Sequence, residues 1–71
     1  MITEIGITAG EIWHFLDNHN GQASLNDIAG GIERPRDLVI LSLGWLAREA
    51  HVHLQDASDS NYVASLVEAT A

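Results

Sequence analysis

PRDLVILSLGWLARE, residues 35–49, is the stretch that decides the fold. Pro35 suits the first turn of a helix, where its missing N–H costs nothing. Asp37 follows near the positive end of the helix dipole. The middle of the stretch, LVILSLGWL, is apolar on almost every side, and only Ser42 and Gly44 interrupt it. Helical geometry sorts its large residues into two stripes, Leu38–Leu41–Trp45 and Val39–Leu43–Leu46. A small domain has one core, so one stripe faces that core. The other faces a wing, a dimer mate or another protein. A helix with this composition is built to touch protein.

Working outward, residues 1–7 alternate loosely, with Ile2, Ile5 and Ile7 apolar, and predict a short first strand or an extended arm. T-A-G-E at 8–11 has the form of a capping box that pairs the Thr8 hydroxyl with the Glu11 amide. It predicts a helix from there to about His19. Ala9, Ile12, Phe15 and Leu16 share its inner face, and Trp13 lies at the margin. Asn20-Gly21 supplies the left-handed stop. Ser24 is a good cap for a short second helix with Leu25, Ile28 and Ala29 inside and Gly30-Gly31 at its end. Before the third helix, Arg34 is a poor cap.

Beyond Glu49 the period changes to two. Val52 and Leu54 point one way, and His51 and His53 the other. DASDS, residues 56–60, reads as a turn, and residues 61–66 as a returning strand with Tyr62, Ala64 and Leu66 on one face. The fold class is therefore mainly α with a small β-hairpin, in one domain over residues 1–71.

Three helices and a hairpin, with Ile28, Ala29, Val39, Leu43, Leu46 and Val52 at inner spacings, resemble a winged helix-turn-helix. IGITAGEIWHFL (5–16) and SLGWLARE (42–49), leading into the wing, further resemble a small prokaryotic winged-helix family of unknown function. That resemblance implies a homodimer and carries no established activity and no site residues. The sequence departs from the general pattern at the helix 2–3 turn. Glycines stand at 30 and 31, Glu33 holds the usual glycine slot, and Arg34 occupies a position that is usually aliphatic.

Composition limits the functions available. Seventy-one residues with ten acids, three Arg and no Lys carry a formal charge of −7. The chain stays acidic even with all four His protonated. Duplex DNA and anionic membranes both repel such a chain. With no Cys, disulfides and thiolate metal sites are excluded. A core this small is marginal alone, which points to oligomerisation as support. The start of the chain reads as neither a signal peptide nor a membrane span, so the expected location is cytoplasmic.

In a winged helix the third helix normally reads DNA. Here its outward positions are Arg36, Asp37, Ile40, Leu41, Gly44 and Arg48, where a major-groove reader wants a polar face. The turn acids Asp56 and Asp59 would meet phosphate with the wrong sign. His51 and His53 with Asp56 form at most a partial metal site, and His14 and His19 diverge on helix 1. Ser58 and Ser60 are the only Ser near His, there is no phosphate loop, and a chain this short has little room for a water-excluding pocket.

The reading is a non-enzymatic protein-interaction and dimerisation module, with no cofactor and no metal. Its partner is a second copy or another protein. The interface residues are Ile40, Leu41, Gly44 and Trp45, with Leu38 secondary. Ile2 and Ile5 of the arm are placed to add a strand across the dimer. The alternative is a dimer-dependent DNA-binding regulator using Arg34 and Arg36.

Overall fold

The computed structural model describes residues 2–57 and 61–67, with the Ile2 side chain left out of the description. Its elements run α1 (Ile2–Asp17), β1 (Gln22–Ser24), α2 (Leu25–Ile32), α3 (Arg36–Arg48), β2 (Val52–Asp56) and β3 (Tyr62–Leu66).

The expected N-terminal strand does not form, because α1 starts at Ile2. The reason lies in the spacing. Ile5, Thr8, Ala9, Ile12 and Leu16 recur at helical intervals, and all but half-buried Ile5 are buried. One more turn and a half of helix continues that inner stripe, which outweighs the weak alternation at 2, 5 and 7. Thr8 is consequently an interior residue rather than a cap. Its hydroxyl is buried without a hydrogen-bond partner. An arm of Ile2 and Ile5 adding a strand across a dimer is excluded in this conformation.

The end of α1 follows expectation. The Gly21 N–H donates to the Leu16 carbonyl at 2.7 Å, and Asn20 and Gly21 both take positive φ, 61° and 84°. Chain reversal then yields β1, a short strand that the sequence reading lacked. It pairs antiparallel with β3, with Ala23 opposite Ala64, and β3 pairs antiparallel with β2, with Leu54 opposite the same Ala64. The sheet order is β1-β3-β2. Asp56, expected in the turn, closes β2 opposite Tyr62. Asp59, Ser58 and Ser60 lie outside the described residues.

Ser24 caps α2 as expected, its Oγ accepting from the Asp27 N–H at 3.1 Å. The helix runs through both glycines to Ile32, and Glu33 ends it in the left-handed region at φ 54°, ψ 47°. The slot that usually carries glycine therefore keeps the glycine conformation with a glutamate in it. Gly31 is needed for another reason. A Cβ there would lie 2.1 Å from Phe15 Cε1, so α2 crosses α1 on the ring itself.

The Pro35 cap of α3 makes no side-chain bond, but its carbonyl accepts from the Val39 N–H at 3.1 Å. Ala9, Ile12 and Leu16 of α1 meet Leu25 and Ile28 of α2, Val39, Leu43 and Leu46 of α3, and Val52 and Ala64 of the sheet in one core. Trp13, at 40% exposure, stays outside it.

Candidate interaction surface

The core takes one side of α3 and leaves the other. Val39, Ser42, Leu43 and Leu46 are buried, and Leu38 and Ala47 are half-buried at the margins. Arg36, Asp37, Ile40, Leu41, Gly44, Trp45, Arg48 and Glu49 are all exposed. Among them Ile40, Leu41 and Trp45 keep 43%, 48% and 45% of their surface in water. α1 packs along the Val39–Leu43–Leu46 stripe, with α2 and β2 at its edges, and none of these elements buries Ile40, Leu41 or Trp45.

Two shallow depressions flank the exposed stripe. One, of about 250 Å³, lies between α3 and the hairpin, over Ile40, Gly44, Leu54 and Tyr62. Gly44 forms part of its floor, and a Cβ there would meet nothing within 4 Å. The other, of about 280 Å³, lies between α1 and the end of α3, bounded by Gly6, Gly10, Trp13, Trp45 and His51. The sequence reading placed Leu54 on one face with Val52 and Tyr62 on one face with Ala64, which the structure makes the inner face of the wing. Leu54 and Tyr62 are on it, but each is 38% exposed. The face spreads past the edge of α3, which strand alternation alone does not reveal.

The residues of the DNA alternative are engaged elsewhere. Arg34 reaches back to α1, its Nε donating to Glu11 Oε1 at 2.8 Å and its Nη2 to Oε2 at 2.9 Å. This two-pronged pair holds the Glu11 carboxyl below its ordinary pKa, chiefly through the hydrogen bond to Arg34, and raises that of the guanidinium. It also accounts for an arginine in a usually aliphatic slot. The residue ties the helix 2–3 turn to α1 by charge rather than by packing. Glu11, read as half of a capping box, is its partner. Arg36 donates to Asn26 Oδ1 on α2. Neither contact is with Glu33 or Asp37.

The histidines are dispersed. His14 meets the edge of the Trp13 ring, His19 stacks on Phe15 beyond the end of α1, and His51 lies against Trp45 ahead of β2. No group of three or more His, Asp or Glu among the described residues is placed to hold a metal ion. No helix among them is long and apolar enough to cross a membrane.

This arrangement, with three helices, a short β1 and a hairpin, is a winged helix-turn-helix. The family model described as "Winged helix-turn-helix domain (DUF2582)" matches residues 1–65. The chain belongs to this family. DUF2582 is a winged-helix domain family of unknown function, and its fold class is a non-catalytic one. No curated protein and no solved structure matches the chain. The fold is one that generally serves regulatory or DNA-binding roles, so the role of this member has to be read from its surface.

Proposed function

We propose that this DUF2582 chain is a non-enzymatic protein-interaction and dimerisation module of regulatory type, acting through the exposed side of α3. The observation that carries the reading is the exposure of Ile40, Leu41 and Trp45, three large apolar side chains on adjacent turns. Apolar surface gathered in one patch marks a contact site more often than scattered apolar residues do. Leu38 contributes at the margin, and Gly44 lets a partner approach the backbone closely. A second copy is the first partner to test, because twofold dimers are the commonest assemblies and small cores gain most from them.

Sedimentation equilibrium over a wide concentration range tests this. Wild type is expected to be a dimer, and Leu41→Glu a folded monomer by circular dichroism. An unchanged association constant in Leu41→Glu would refute the assignment.

The DNA-binding alternative draws support from the fold alone. Arg34 is spent on Glu11, and the third helix turns Ile40, Leu41 and Trp45 outward.

A further inference from the structure

We infer that the partner of α3 is α3 of a second copy, laid antiparallel across a twofold axis that passes between Ser42 and Leu43. This rests on the interaction reading above and fixes its geometry.

The exposed residues of α3 and its cap form two adjacent ridges at four-residue intervals. One is Asp37–Leu41–Trp45–Glu49, and the other Arg36–Ile40–Gly44–Arg48. All eight are exposed. They include every charged residue of the stretch 35–49, and the signs are sorted, with anions at both ends of the first ridge and cations at both ends of the second. Ridges of this spacing are the ones that interdigitate in the commonest helix–helix packing.

A twofold between Ser42 and Leu43 exchanges the two ridges. Asp37 of one copy then faces Arg48 of the other, and Glu49 faces Arg36. Leu41 faces Gly44, so the most exposed of the three apolar side chains on α3 lies over the position with no side chain. Trp45 faces Ile40 at the rim of the roughly 250 Å³ depression that Leu54 and Tyr62 complete. Every pairing occurs twice, as an isologous contact requires. A parallel pairing would instead bring like ends together, and any other antiparallel register would move Leu41 off Gly44.

Full burial of the patch just reaches the area a specific interface needs. The exposed parts of Ile40, Leu41, Trp45, Leu54 and Tyr62 come to roughly 500 Å² per copy, or about 1,000 Å² for the pair, which is where specific interfaces begin. Asp37 and Arg48 make no ion pair with another described residue, so these two ridge ends can meet each other across the axis, while Arg36 keeps its bond to Asn26.

A charge exchange tests the register. Asp37→Arg gives a chain with cations at both ends of the contact, and Arg48→Asp one with anions at both. Each alone is expected to dimerise about tenfold or more weakly than wild type in sedimentation equilibrium. An equimolar mixture is expected to recover the affinity as a mixed dimer, detected by native mass spectrometry. Gly44→Leu, which has open space within its own chain, is expected to stay folded and to dissociate. A wild type that stays monomeric at every concentration would overturn self-association altogether. A wild-type dimer whose variants associate unchanged and mix at random would overturn this register alone.

Discussion

Gly30 and Gly31 are neighbours on α2 with opposite surroundings, and the contrast gives a sharp test of the packing between α1 and α2. A Cβ on Gly30 would meet nothing within 4 Å, whereas one on Gly31 would lie 2.1 Å from Phe15 Cε1 and under 3 Å from Cζ and Cδ1. The half-buried Phe15 ring has to move for the extra methyl to fit. It stacks on His19 at 3.9 Å between centroids, and His19 Nδ1 donates to the Phe15 carbonyl at 2.6 Å. Replacing either glycine by alanine improves helix propensity by about 0.5–1 kcal/mol. At Gly30 nothing opposes that gain. At Gly31 overpacking costs about 1–3 kcal/mol, through a displaced ring or a shifted helix.

Gly30→Ala should therefore stabilise by about 0.5–1 kcal/mol, and Gly31→Ala should destabilise by about 0.5–2 kcal/mol. In a domain of this size each kcal/mol moves Tm by about 4–8 °C. The assay is urea unfolding followed by circular dichroism, with all variants at one protein concentration, because self-association adds to apparent stability. Phe15→Leu in the Gly31→Ala background should relieve part of the loss, which a double-mutant cycle measures. If both alanines shift stability the same way, the close approach of α2 to the Phe15 ring is wrong.

Other consequences are smaller and separately measurable. Glu33 and Ala50 hold left-handed backbone at φ 54° and 62°, so Glu33→Gly and Ala50→Gly should each stabilise by about 1 kcal/mol in the same unfolding assay. Thr8→Val removes a buried hydroxyl with no partner at nearly constant shape, and should raise stability by about 1 kcal/mol; a loss instead would mean the hydroxyl is hydrogen-bonded. The Glu11 carboxyl has a folded-state pKa below its ordinary 4.5, so the stability it contributes is present above that value and lost as pH falls through the folded one. Both partners are more than a third exposed, so the effect is modest, and Glu11→Gln should flatten the fall in Tm below about pH 4.5. Labelled duplex DNA titrated at low salt should give a flat anisotropy curve, whereas salt-sensitive binding abolished by Arg36→Ala would restore the DNA reading.

The sequence revealed α3 because its apolar run is long, opens on Pro35 and keeps its charges at the ends. It revealed the Ser24 cap because a hydroxyl and a following acid act within one turn. The start of α1 was misread for the opposite reason. Residues 2–7 contain two β-branched Ile-to-Ile steps and a glycine, local signals that favour extended chain, and only burial against α3 and the sheet makes the longer helix the better choice. β1 is three residues long and exists because β3 passes beside it, which is a tertiary cause with no local pattern. Arg34 was the hardest to place. Its partner Glu11 lies 23 residues away, and a charge pair at that separation leaves no spacing to read. The exposed stripe on α3 was legible as a surplus of apolar residues. Which of the two stripes would be left open depended on which one α1 packs against, a tertiary matter.

On the proposed interface reading, the charges of the same helix count against DNA. All three cations of the chain are Arg, and two of them, Arg36 and Arg48, stand at opposite ends of one α3 ridge with Asp37 and Glu49 on the ridge beside it. At such spacings a phosphate drawn to either Arg also meets a carboxylate, and the net field of the chain adds to the repulsion. Across a protein interface the same alternation becomes an advantage, because each carboxylate has an opposite charge to meet and none has to be buried alone. Between the charges lie Ile40, Leu41 and Trp45, which offer base edges almost nothing and offer another protein most of their exposed area. If the proposal holds, the position that reads sequence in other winged helices would here read a partner helix.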